Sequence, residues 1–415
     1  MNIWNFHQML KSSRGLLSFV PSRRVQIFLI FGITLLTTIA VYDVSATVVV
    51  PKDTRNYITF TDWCLNKESL QPDTKAIVNH ILKISGISDC NQVSQKLLEI
   101  KHFKAIGSNI SDINPLKFLT QLEVLSLSAN IISDLSPLGS LNNLTNLALD
   151  NNQISDLSPL QSLTNLDELL LDDNQISDLS PLKSLSNLSG LYISNNQISD
   201  LSTLIYLSSL GSLKLSNNQI TAIPEALGQL SNLEWLELRN NKIISIPEAF
   251  GQLSNLEHLD LRNNQITAIP EALGQLSKLG LLDLRSNQIA SIPEVIGQLS
   301  NLTQLDLSHN QITSIPKVFG QLFNLKWLWL DNNQITSIPD ALGQLSNLRG
   351  LGLSKNQITK IPEALGQLSN LEWLTLEGNQ IAKIPEALRQ LPKLKIYELP
   401  YPNSEPAVDV SPLMP

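Results

Sequence analysis

"LEWLELRNNKI" occupies Leu233–Ile243, and it returns almost unchanged as "LEHLDLRNNQI" at 256–266 and "LKWLWLDNNQI" at 325–335. The constant letters are Leu233, Leu236, Leu238, Asn241 and Ile243 with their equivalents. In L-x-x-L-x-L the last two leucines fall on one face of a short strand, because successive strand side chains point to opposite sides. Neighbouring copies can then pair as a parallel sheet. One copy cannot bury such a face alone, so burial has to come from stacking copy on copy. Each copy brings roughly six or seven aliphatic side chains, worth about 1.5–3 kcal/mol apiece when fully buried.

The first leucine of the pattern falls at Leu122, Leu144, Leu166, Leu188 and Leu210, a spacing of 22. It then falls at Leu233, Leu256, Leu279, Leu302, Leu325, Leu348 and Leu371, a spacing of 23. A degenerate copy, "IKHFKAIGSNI", precedes them from Ile100, and "LKIYELPYP" from Leu394 begins another and loses it, as terminal units facing solvent do. The recurring asparagine, Asn241 and its equivalents, is expected to turn the chain inward and to bond backbone of its own turn and of the next copy, since a buried amide needs partners. The return path reads "SDLSPL" in 111–204 and "IPEALGQLSNL" from 223. In the second form Pro224 suits the first position of a helical turn, Glu225 its positive end, and Gly228 a left-handed exit.

Ahead of the repeats the composition changes. Lys11, Arg14, Arg23 and Arg24 precede "VQIFLIFGITLLTTIAVY" (25–42), an uncharged run, and then "VSA" at 44–46. Residues 1–46 read as an export segment, either a signal peptide cut after Ala46 or an uncleaved membrane anchor. Residues 47–97 read as a small helical cap over the first repeat. Within it "PDTKAIVNHILKIS" from Pro72 carries an apolar stripe of Ile77, Val78, Ile81, Leu82 and Ile84, and Gly86 suits its end. Cys64 and Cys90 flank that helix; on an exported chain such a pair reads as a disulfide, stabilising by about 3 kcal/mol.

Hydrophobic residues are 42% of the 415, but aromatics only 5%, which implies an aliphatic core. A net charge of −8 gives no basic footprint for nucleic acid. The five histidines make no metal spacing and no Ser-His-Asp arrangement, and no Gly-rich phosphate loop occurs. No catalytic, cofactor-binding or metal residue is therefore assigned.

These motifs resemble the leucine-rich repeat family over about residues 98–400. The "ISDLSPLxxLTNLxxLxLxxNQ" copies are similar to those of bacterial internalins and of protein-phosphatase regulatory subunits. The "IPEALGQLSNL" copies are similar to those of Ras-associated scaffolds and plant disease-resistance proteins. The layout of leader, two-cysteine cap with "DWC" and repeats resembles secreted cyanobacterial members. The resemblance implies an α/β right-handed solenoid, a horseshoe with a concave parallel sheet and short helical or 3-10 turns on its convex side. Repeats would fill 98–393, of the 22-residue type to about 210 and the 23-residue type after, with a degenerate repeat and proline-rich tail at 394–415.

Function must then lie in the letters that vary on the concave face, which run from Val124, Ser126 and Ser128 at one end to Trp373, Thr375 and Glu377 at the other. The partner-binding candidates are Trp235, Glu237, Arg239, His258, Asp260, Arg262, Asp283, Arg285, Asp306, Trp327, Trp329, Asp331 and Trp373, because tryptophan in a concavity is the usual material of binding hot spots. A protein ligand is expected on a non-enzymatic, exported scaffold in the periplasm, at the cell surface, secreted, or anchored in the inner membrane. The alternatives are an envelope glycan, for which Gly350 and Gly352 would leave room between Trp327/Trp329 and Trp373, and a spacer without a ligand. The acid and base columns could also simply neutralise each other across strands. Membrane contact is expected only through residues 1–46.

Overall fold

The structure is a computed structural model and describes residues 57–397. Residues 1–46, with the expected export segment, and Pro402 lie outside them. Among the described residues no helix is long and apolar enough to cross a membrane.

Fourteen three-residue strands form one parallel sheet in strict chain order, from β1 (His102–Lys104) to β14 (Lys395–Tyr397). The strands that matter below are β6 (Ser212–Lys214), β7 (Trp235–Glu237), β8 (His258–Asp260), β9 (Leu281–Asp283), β10 (Gln304–Asp306), β11 (Trp327–Trp329), β12 (Gly350–Gly352) and β13 (Trp373–Thr375). Register is uniform, so Trp235 lies beside His258, Leu236 beside Leu259 and Glu237 beside Asp260. Leu236 is fully buried while its strand neighbours Trp235 and Glu237 are half-buried. The solenoid expected from the repeat is thus present. Its core is a single cluster of leucine and isoleucine that continues into the cap.

The asparagines are buried as expected, except that Asn379 in the last full copy is half-buried, but their intercopy bonds run backwards. Asn241 Nδ2 donates to Leu238 O at 2.9 Å in its own copy and to Leu215 O at 3.0 Å in the preceding one. Its Oδ1 accepts from Ile220 N of that preceding copy at 3.1 Å. Each amide therefore ties its turn to the copy before it, not the next. Two further ladders were not foreseen. The residue before the buried asparagine takes a left-handed backbone, for example Asn240 (φ 57°) and Asn263 (φ 56°), which asparagine tolerates better than most residues. Asn255 and Asn301 of the "SNL" segments donate to Ser231 O and Ser277 O one copy back, both at 2.7 Å.

The return path corrects three expectations. Pro224 sits before the 3-10 turn Glu225–Gln229 as its N-cap, because its own carbonyl accepts the first bond, from Leu227 N. Gly228 is not left-handed; among the described residues the positive-φ glycines are Gly86, Gly107 and Gly378. A Cβ at Gly228 would instead overlap Ala249 O, and one at Gly251 would come within 2.7 Å of Ala272 O, so glycine serves the close approach of successive turns. The Glu225 carboxylate accepts from Ala249 N at 3.0 Å and so caps the turn of the following copy. In the 22-residue copies an aspartate does this work locally, Asp134 accepting from Ser136 N at 2.9 Å.

The cap holds α1 (Phe60–Leu65), α2 (Pro72–Ser85) and α3 (Val93–Leu97). Gly86 ends α2 with a left-handed backbone, φ 70°. Ile77, Val78, Ile81 and Leu82 are buried, but Ile84 is exposed and outside the stripe. The apolar end of the first repeat is covered by ring contacts, Phe60 edge-on to Phe118 and His80 edge-on to Phe103 at 5.0 Å. Asp73 on α2 accepts from Ser111 N and Oγ. Cys64 and Cys90 form a disulfide, with Cα atoms 5.6 Å apart.

Candidate functional site

Because every strand contributes the same two outward positions plus one two residues later, the varying letters gather into three columns on one face of the sheet. All thirteen predicted residues lie there, on β7–β11, β13 and the residues just after them. None is a freely exposed group: twelve are half-buried and Asp306 is buried, because they pack on one another.

From β6 to β9 the face is a charge lattice. Trp235 stacks on His258 with centroids 4.0 Å apart, and its indole N–H donates to Glu237 Oε1 at 2.7 Å. Lys214, outside the predicted set, lies 3.5 Å from Glu237 and over the rings of Tyr192 and Trp235. Arg262 bridges Asp260 (3.2 Å) and Asp283 (3.7 Å), and Arg285 reaches Asp306 at 3.9 Å. The neutralisation between columns is real for these residues. Arg239 is the exception: among the described residues its buried Nε has no hydrogen-bond partner.

Burial and the neighbouring Asp283 charge push Asp260 and Asp306 up to about 7. Burial raises Asp283 too, opposed by a hydrogen bond from Arg285 N and by the arginine charges. Burial lowers His258, favouring its neutral form.

From β10 to β13 the face changes to indoles. Trp327 and Trp329 stack with planes 7° apart and centroids 5.7 Å apart, and Trp327 also stacks on Trp373 at 5.2 Å. The space above Gly350 and Gly352 is not vacant. A Cβ on Gly350 would overlap the Trp327 ring, and one on Gly352 would overlap Asp331 Oδ2, with Trp329 Cδ1 3.1 Å away. The glycines make room for this protein's own side chains. The Asp331 carboxylate accepts from Ser354 N (2.8 Å) and Thr375 Oγ1 (2.9 Å), and burial raises its pKa. Thr375 and Ser354 thus belong to this sector although only their column position pointed to them. Among the described residues no group of three or more His, Cys, Asp or Glu could hold a metal ion.

Family models described as leucine rich repeat match 187–243 and 323–381, a leucine-rich repeat region model matches 270–349, and a two-copy repeat model matches 120–162, 142–184, 164–206 and 231–278. No curated protein matches. Among solved structures, an internalin of Listeria monocytogenes is 31% identical with a TM-score of 0.73, over 81% of this chain and 98% of that one. A leucine-rich repeat protein of Leptospira interrogans is 30% identical with a TM-score of 0.62, over 74% and 92%. A plant peptide hormone receptor in complex with RGF2 is 25% identical with a TM-score of 0.58, over 69% of this chain and 56% of the receptor.

Proposed function

The chain belongs to the leucine-rich repeat family, and from that premise we propose that it is a non-enzymatic scaffold, exported to the cell envelope, that binds a protein partner on the outward face of β7–β13. The observation that carries this reading is the segregation of variation: the letters that a constant repeat leaves free gather on one face, and four of the six tryptophans stand there in two clusters. Half-buried indoles with polar surroundings are the composition of interface hot spots. The receptor structure cited above is of a related repeat protein with its ligand bound, which supports a polypeptide ligand. Export is supported by the basic and then apolar amino-terminal sequence and by the Cys64–Cys90 disulfide.

The test is a pull-down from cell envelope with the parent protein and a Trp327→Ala/Trp329→Ala variant, beside a glycan array. Loss of a protein captured by the parent supports the reading. Binding to a glycan that the variant loses replaces it, and a parent that captures nothing in either assay leaves a spacer. Intact mass of the expressed chain reads export directly, a chain beginning after Ala46 being the expected product.

A further inference from the structure

The outward positions from Gln304 to Glu377 on β10–β13 include Asp306, Asp331 and Glu377 and no Lys, Arg or His. Arg285 answers Asp306, but among the described residues no ion pair reaches Asp331 or Glu377. Asp331 is held by neutral donors alone. Ser354 turns its N–H and its hydroxyl toward Asp331, while among the described residues the buried Glu377 Oε2 has no hydrogen-bond partner. Trp329 lies beside Asp331 over Gly352, and Trp327 and Trp373 continue the stack of indoles from there. Carboxylate and indole face attract the same thing, a cation.

We infer that Trp327, Trp329 and Trp373 with Asp331, Ser354 and Glu377 form a subsite for the cationic end of a lysine or arginine side chain of the protein partner. This rests on the protein-binding reading above and adds the partner's chemistry. An apolar side chain would cover the indoles but leave Glu377 Oε2 dry and unpaired, which costs free energy. An ammonium brings three donors and a charge to the same place, while its methylene stem packs on the rings. The lattice on β6–β9 offers no equivalent, because its carboxylates already hold Lys214, Arg262 and Arg285.

The experiment uses the full chain with ¹⁵N-labelled tryptophan and follows the indole resonances, assigned by single Trp→Phe variants. The probes are N-acetyl-lysine methylamide, its neutral isostere N-acetyl-norleucine methylamide, and methyl glucoside. The lysine probe is expected to move the Trp327, Trp329 and Trp373 signals saturably and to leave Trp235 in place, and Glu377→Gln to weaken it by about fivefold or more. The inference is overturned if norleucine moves the same signals as strongly, if the glucoside alone does so, if lysine moves none, or if a folded Glu377→Gln protein binds lysine unchanged. The norleucine comparison needs no variant, so it stands even where a substitution disturbs folding. If the lysine probe fails while the envelope pull-down still depends on Trp327 and Trp329, this inference falls and the protein-binding reading survives; the converse result separates them the other way.

Discussion

Strands β6–β9 and β10–β13 are built on one scaffold, with the same buried leucines and the same asparagine ladder, yet they carry opposite surfaces. On the first, every outward carboxylate has a cation within reach, and Trp235 spends its indole N–H on Glu237. On the second, three indoles stack over two glycines and the acids beyond Asp306 are left to neutral donors. The first surface pairs its charges, although Arg239 Nε and His258 Nδ1 have no hydrogen-bond partner among the described residues. The second keeps Asp331 and Glu377 without an ion pair among the described residues, beside aromatic area, which is the condition for holding a cation.

The sharpest way to break that contrast is Gly350→Leu. Any Cβ there overlaps the Trp327 ring, so the stack with Trp329 and Trp373 has to open. Overpacking of this sort costs about 1–3 kcal/mol. The expected outcome is a lower denaturation midpoint together with loss of the near-ultraviolet circular dichroism of coupled indoles. The equivalent position on β9 already holds Leu281, so Leu281→Val should leave that signal unchanged.

Residues 350–352 also show where the sequence could be read and where it could not. The scaffold was legible because L-x-x-L-x-L and the asparagine repeat twelve times, and each repeat restates one packing requirement. Which letters face outward followed from strand alternation. What those letters do to each other was not legible, because it depends on side-chain direction. Gly350 and Gly352 suggested vacant space, whereas Trp327 and Asp331 lean across the strand spacing to fill it. Gly228 suggested a left-handed turn, but the constraint comes from Ala249 of the next copy, and a contact between copies leaves no mark within one. The direction of the asparagine bonds is hidden for the same reason.

A second prediction separates the sectors by pH. Asp260 and Asp306 have folded-state pKa values of about 7, above the unfolded value near 4, so between those limits the folded chain keeps protons that the unfolded chain releases. Stability therefore falls as pH rises from 4 to 7 and is level above. Asp260→Asn/Asp306→Asn should remove this fall and be more stable than the parent at pH 8 by about 1 kcal/mol or more, since a three-unit shift at even one of these groups converts to about 4 kcal/mol and outweighs the contacts given up with Arg262 and Arg285. Urea unfolding at pH 4 and pH 8 reads it, with the two proteins close together at the lower pH; a parent whose stability is flat between them refutes it.

The smallest effect tests whether the lattice is a set of pairs or only a mixed surface. Arg262 touches two carboxylates, and Arg239, one copy earlier in the same column, has no ion pair among the described residues. If pairing is what matters, Arg262→Ala should cost about 0.5–1 kcal/mol at pH 8 and lose that cost near pH 4, where Asp260 is protonated. Arg239→Ala should stay within about 0.5 kcal/mol of the parent at both, since it removes aliphatic packing and a charge that acts on Asp283 without an ion-pair contact. Equal losses for the two arginines at pH 8 would mean that column position, not the bridge to Asp260 and Asp283, sets their contribution, and the distinction between a charge-paired sector and an open one would lose its basis on β7–β9.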